Sequence, residues 1–240
     1  MVVEYSNHRV QVFDKAGKFL FKFGSGGDGT GQFSSPEGVA VDQRNDQIVI
    51  GDCGNHRIQV FDERGGLIRA FGSFGSGDGQ LSYPRGVVVD SQGNYFVAEY
   101  SNHRVSVFDS NGQFLRKFGS SGNGNGQLSN PRGVGLLSNG NVIVCEYSNT
   151  RVSIFDSQGN FVRHICAGQL SNPYHLFVDS DDNILIADNT STNPVRVFKA
   201  DGTLVKNISI AGHAGTGGVC MDLEGRIITT DHSNSRILVI

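Results

Sequence analysis

Hydrophobic and polar residues alternate along this chain in short runs, and the runs recur. Between residues 86 and 119 they read "GVVVD", "YFVAEY", "RVSVF" and "QFLRKFG", separated by "SQGN", "SNH" and "SNGQ". Alternation at period two, bounded by Gly, Asn, Asp and Ser, predicts strands joined by tight turns, and no apolar stripe recurs at helical spacing. The four runs therefore read as strands a, b, c and d of one antiparallel sheet. The same phrases return throughout. "NHRVQVFD" at residues 7–14 comes back as "NHRIQVFD" at 55–62 and "NHRVSVFD" at 102–109. Arg9, Arg57, Arg104 and Arg151 close this phrase at intervals of 48, 47 and 47 residues. Arg196 in "NPVR" and Arg236 in "NSR" continue it at 45 and 40. A second phrase keeps step: "PEGVAVD" from Pro36, "PRGVVVD" from Pro84, "PRGVGLL" from Pro131, "PYHLFVD" from Pro173, and a worn copy, "TGGVCMD", from Thr216. A four-stranded unit repeated at this period is a blade, and blades close into a propeller.

The P-x-G-V-x-V-D and N-H-R phrases, with the Gly-rich connectors "FGSGGDGTGQFSSP" and "FGSFGSGDGQLSYP", resemble NHL repeats over essentially the whole chain. Their style resembles the C-terminal propellers of TRIM–NHL proteins. The resemblance implies an all-β, six-bladed propeller with four-stranded antiparallel blades, one domain over residues 1–240. Tryptophan–aspartate and kelch repeats fit worse, because the chain has no Trp. On the period, Met1 aligns with Phe96 inside strand b, and the last residues, "RILVI", form a strand c. The expectation is an N-terminally truncated ring of 22 strands, two short of six full blades, with a d and an a strand missing. In the family an N-terminal d strand closes the last blade. RING, B-box, coiled-coil and filamin-like modules, typical upstream of such propellers, are not in this segment.

Composition narrows the functional classes. The chain is 38% hydrophobic and 18% charged, with 33 Gly, as expected of a soluble, turn-rich protein. No apolar run approaches the ~20 residues of a membrane span, and "MVVEYSNHR" lacks the basic start and apolar core of a secretory signal. A cytoplasmic protein away from membranes is expected, so the sequons beginning at Asn189 and Asn207 carry no weight. The formal net charge of −3 predicts no strong non-specific grip on polyanions, and no DNA partner. Cys53, Cys145, Cys166 and Cys220 show neither CxxC pairing nor His at zinc spacing, and read as free thiols.

No enzyme, metal or cofactor is expected. The repeated His and acidic residues are parallel copies on separate blades, not a nucleophile–base–orienter set. His8, His56 and His103 hold equivalent places on neighbouring blades, more than about 10 Å apart, too far to share one metal at bonds of about 2 Å. The Gly-rich connectors lead into no helix, so they read as crossings between blades, not phosphate loops.

Topology sorts the remaining candidates. In an antiparallel meander the start of a, the b–c turn and the d–a connector share one face, at the channel mouth, while the a–b and c–d turns share the other. An acid stands five residues before Arg9, Arg57, Arg104, Arg151 and Arg236, and Asp188 precedes Arg196. These acids and arginines face each other across a hairpin and are expected to form one ion pair per blade, as scaffold. The Asn of each phrase is expected to be a turn residue in left-handed geometry. The variable residues at the tips are the binding candidates: His56, Tyr100, His103 and Tyr147 on b–c turns, and Arg85, Arg132, Tyr174 and His175 at the starts of a strands. Rings, imidazoles and guanidinium groups around one mouth can stack bases and contact phosphates. Arg85, Arg132, Tyr100, His103 and Tyr147 are expected to line one groove, with no further acid beside the two arginines, so that reversing both charges would abolish binding and spare the fold. The resemblance implies RNA, as a single-stranded motif or stem-loop, in post-transcriptional control. The alternative is a protein ligand, the propeller recruiting a partner or ubiquitination substrate.

Overall fold

The computed structural model describes every residue except Ser191 and Asn193. Among the described residues, 22 strands form six antiparallel sheets, each a meander in chain order. The first sheet holds β1 (Val2–Glu4), β2 (Arg9–Phe13) and β3 (Phe19–Phe23). The second holds β4 (Pro36–Asp42), β5 (Gln47–Asp52), β6 (Arg57–Phe61) and β7 (Leu67–Phe71). The third holds β8 (Pro84–Val89), β9 (Tyr95–Glu99), β10 (Arg104–Phe108) and β11 (Phe114–Phe118). The fourth has β12 (Pro131–Leu136), β13 (Val142–Glu146), β14 (Arg151–Phe155) and β15 (Phe161–Ile165). The fifth has β16 (Pro173–Val178), β17 (Ile184–Asp188), β18 (Val195–Phe198) and β19 (Leu204–Ile208). The last has β20 (Thr216–Met221), β21 (Ile227–Asp231) and β22 (Arg236–Val239). The fold is thus an all-β, six-bladed propeller with four-stranded blades, the first and last carrying three strands each. The chain divides into two compact units, residues 1–117 and 118–240.

Burial follows position within the blade more than simple alternation. Every residue of β9, β13 and β17 is buried, so the b strands are covered on both faces and read as continuous apolar runs. In the first unit, Val49, Ile58, Val60, Leu81, Val87, Tyr95, Val97 and Phe108 form one core between the second and third blades. In the second unit, Ile143, Cys145, Val152, Ile154, Leu176, Ile184 and Phe198 do the same for the fourth and fifth. The outer strands alternate: β7 and β11 expose every second residue.

Turn chemistry follows the sequence. Asp109 Oδ1 accepts the backbone N–H groups of Asn111 at 2.9 Å and Gln113 at 2.8 Å, and Gly112 takes φ +81°. A short side-chain acceptor and a residue free to be left-handed are what this turn requires.

The P-x-G glycine has a stricter reason. A Cβ on Gly38 would stand 2.1 Å from the Arg85 carbonyl oxygen, and one on Gly133 would stand 2.8 Å from the Leu176 backbone nitrogen. Adjacent a strands approach so closely here that only glycine fits. Each a strand also opens with a register shift, in β8 between Pro84 and Gly86 and in β12 between Pro131 and Gly133. Arg85 and Arg132 are the extra residues of these bulges, which turn a side chain away from the ladder.

Candidate functional site

The b–c hairpin of each blade is organised around one acid, buried in every blade but the first, where Glu4 is part-exposed. Asp52, fully closed to solvent, accepts from Arg57 Nε at 2.8 Å, Asn55 Nδ2 at 2.9 Å, Gln59 Nε2 at 2.9 Å and the Ser34 backbone N–H at 2.7 Å. Glu99 repeats the pattern with Arg104 and Ser106, both at 2.5 Å, and Glu146 with Arg151 at 2.8 Å. All six expected ion pairs form. The arginine does more than the pairing predicted. Arg57 also donates to the carbonyls of Asp28, Gly29 and Gln32, each at 2.8 Å, and Asn55 donates to Gly27 O at 2.9 Å. The connector thus turns its carbonyl oxygens inward onto a cation. A phosphate cradle would need converging N–H groups, so these loops are clamps for the fold.

Two expectations need correction. The left-handed residue of the tip is not the Asn but the residue after it: His8, His56, His103 and Thr150 lie between φ 48° and 55°. The Asn instead spends its amide on the acid and the connector. Arg196 sits two ladder positions further along its strand than its counterparts. It pairs opposite Ile186, as Gln59 pairs opposite Ile50, yet its Nε still reaches Asp188 at 2.9 Å because both lie on one face.

The tip imidazoles brace the chain. His8 Nδ1 accepts the Ser35 N–H at 2.9 Å and His56 Nδ1 accepts the Tyr83 N–H at 3.1 Å, just before the prolines that open β4 and β8. Burial pushes the His56 pKa down, against the opposing charge of Asp52, which keeps the ring a neutral acceptor. His103 occupies the same left-handed place.

The bulge residues build two clusters, one in each unit. In the first, the Arg85 guanidinium lies 4.3 Å above the Tyr100 ring and is ion-paired through Nη1 with Glu37, the bulge residue of β4. In the second, the Arg132 guanidinium lies 3.7 Å from the Tyr174 ring and 4.7 Å from the Tyr147 ring, and the two rings meet edge to face at 5.7 Å. Arg132 is buried. These contacts correct the expectation that no further acid lies beside the two arginines and that reversing both would spare the fold. Glu37 offsets Arg85. Reversing Arg132 would bury a carboxylate between two rings, so the double reversal would not spare the fold.

His175 fills the glycine position of β16. Its Nδ1 is closed to solvent, and burial pushes its pKa down while a hydrogen bond to the Val219 backbone works the other way. It reads as packing more than as a contact residue. Sequence reasoning missed Phe74 and Tyr83. Phe74 is 67% exposed and packs 4.7 Å from His56, whose ring meets Tyr83 edge-on at 4.6 Å. Their signal lay in the period: the matching positions are Gly26 and Ser121, and Ser35 and Asn130, none of them aromatic. Among the described residues, no group of His, Cys, Asp and Glu is arranged to hold a metal, and no helix is long and apolar enough to cross a membrane.

Comparison with known proteins identifies the repeat. The NHL repeat matches residues 33–61, 81–108 and 128–155, which cover strands a to c of the second, third and fourth blades. The chain carries NHL repeats. A stretch of 50 residues is 40% identical to the protein brain tumor of Drosophila melanogaster, covering 21% of this chain and 5% of that protein. The chain thus matches only a small part of that relative's length. Solved structures share the architecture at low identity. A virginiamycin B lyase from Staphylococcus aureus aligns with TM-score 0.63 and 15% identity over 85% of this chain and 69% of its own. A protein of unknown function from Bacteroides caccae gives 0.70 and 12% over 93% and 79%. Kuenenia stuttgartiensis hydrazine synthase gives 0.69 and 14% over 98% and 90%. At such identity these likenesses speak for the fold alone. An NHL propeller is a binding scaffold.

Proposed function

We propose that this chain is an RNA-binding module of the TRIM–NHL kind, reading single-stranded bases by stacking on the b–c tips and bulged a-strand starts within each unit. The observation that carries the reading is the pairing of bulge arginines with tip tyrosines: Arg85 over Tyr100, and Arg132 against Tyr147 and Tyr174. Sequence-selective RNA recognition works by splaying bases onto aromatic rings and guanidinium planes. Tyr100, Tyr147 and Tyr174 are each partly exposed, so each ring has surface to offer a base. Selectivity comes from these platforms, not from a basic field, because the net charge is −3 and Arg85 already faces Glu37. The role is non-catalytic, in post-transcriptional control in the cytoplasm; recruitment of a ubiquitination substrate belongs to the alternative reading, a protein partner.

Selection from a randomised single-stranded RNA pool at fixed salt tests it. Enrichment of defined short motifs by the wild type, lost on Tyr100→Ala, is the expected result. An unenriched pool would leave the second reading, a protein partner, in possession. That reading is favoured by Phe74 and Tyr83, which present exposed aromatic surface around the His56 ring.

A further inference from the structure

We propose that Glu37 is an internal anion that occupies the Arg85 guanidinium and gates a phosphate subsite on the Arg85–Tyr100 platform. This rests on the RNA reading above and deepens it by naming what one member of that site does.

Two kinds of arginine stand out in the first unit. The scaffold arginines are held on every nitrogen. Arg57 gives Nε to Asp52, Nη1 to Asp28 O, and Nη2 to Gly29 O and Gln32 O; Arg104 gives Nε to Glu99, Nη1 to Ser76 O, and Nη2 to Gly77 O and Gln80 O. Such a guanidinium has four of its five donors engaged within the fold. Arg85 is different. It pairs with Glu37 through Nη1 alone, and its Nε, closed to solvent, has no hydrogen-bond partner among the described residues. The fork of a guanidinium matches two oxygens of a carboxylate or phosphate at once, and here only one prong is used.

Position makes the pair adjustable. Glu37 and Arg85 are matching bulge residues, 48 positions apart, on β4 and β8, and neither belongs to a ladder pair. Their side chains retain 25% and 17% exposure, against 0% for Asp52 and Glu99. A part-exposed pair is weak, worth roughly 0.2–1 kcal/mol, so an arriving phosphate displaces Glu37 at modest cost. The Tyr100 ring 4.3 Å beneath Arg85 holds the guanidinium plane fixed during that exchange. Glu37 thereby screens Arg85 from stray anions and admits RNA only when bases also stack.

The test uses the whole chain and three variants: Glu37→Gln, Glu63→Gln as an exposed control of equal charge change, and Tyr147→Ala. Each is first checked by thermal melting. Affinity for a randomised single-stranded RNA pool is measured against salt, and inorganic phosphate is titrated separately while the Arg85 Nε–H resonance is followed. Glu37→Gln is expected to bind RNA roughly 1.4- to five-fold more tightly than wild type, the affinity the pair's ~0.2–1 kcal/mol would release. The slope of log affinity against log salt should steepen by about 0.7, one more phosphate neutralised, and phosphate should shift the Arg85 signal saturably in this variant and more weakly in wild type. Equal gains from Glu37→Gln and Glu63→Gln would reduce the effect to net charge and overturn the proposal. So would an Arg85 signal indifferent to phosphate in Glu37→Gln. If RNA binding is absent or untouched by Tyr147→Ala while phosphate still finds Arg85 in Glu37→Gln, the RNA reading fails and the gated anion subsite stands.

Discussion

At the scale of single residues, the molecule separates side chains that look alike in sequence. Glu4 and Glu99 are both hairpin acids, yet Glu4 keeps 20% exposure and its partner Arg9 31%, while Glu99 is closed and Arg104 only 7% exposed. Removing one partner of a buried pair leaves an uncompensated charge and costs about 3–5 kcal/mol. Exposed pairs contribute about 0–1 kcal/mol. Glu99→Ala should therefore lower the urea midpoint severely, and Arg9→Ala barely; similar losses from the two would contradict the hub account. Acid titration probes the same hubs. Burial alone would raise the Asp231 pKa, but hydrogen bonds from Asn234, Arg236 and the Ala214 N–H outweigh it and hold the group down to about 2, from an ordinary 3.8. A carboxyl depressed on folding contributes stability in full above its unfolded value and loses it as pH falls toward the folded value. Arg9 holds Glu4 down and Arg44 holds Asp42 down, with the same sign. The urea midpoint should be level above about pH 5 and drop between about 4 and 2; a level profile down to pH 2 would count against these interactions.

At the scale of elements, much was legible and the reasons can be named. Period-two alternation bounded by turn residues located the strands, and the Asp-x-x-Gly turns formed with the hydrogen bonds their residues allow. The acid and Arg five residues apart paired as a hairpin requires. What the pattern hid was contact between elements distant in sequence. Nothing local in "PEG" says that Gly38 meets the backbone of Arg85, or that Glu37 meets its guanidinium, 48 residues away. The left-handed His56 was missed because Asn is the usual occupant of that geometry, whereas here its amide is needed by Asp52 and Gly27. Phe74 and Tyr83 stand outside the shared pattern of the repeats, and such exceptions carry the exposed surface. Gly38→Ala puts a methyl group 2.1 Å from a carbonyl oxygen, so backbone must move. Overpacking of this kind costs about 1–3 kcal/mol. Calorimetry should show a clear fall in Tm, whereas Gly17→Ala, which meets nothing within 4 Å, should lose only the smaller cost of its positive φ. Equal falls would refute the close-approach argument.

At the scale of the whole molecule, the repeat does two jobs with one phrase. Acid, Asn and Arg recur because every blade needs its hairpin and connector clamped. The residues between and beside them are free to vary, and there the tyrosines and bulge arginines collect. Stacking is the central claim, and one comparison reaches it most directly: the affinity of wild type, Tyr147→Phe and Tyr147→Ala for a selected single-stranded RNA at fixed salt. A ring that stacks a base is worth about 1–3 kcal/mol, so Tyr147→Ala should bind roughly 5- to 150-fold more weakly. Tyr147→Phe, which keeps the ring face beside Arg132, should stay within about two-fold, since stacking needs the π-face and not the hydroxyl. Three indistinguishable affinities would contradict the account.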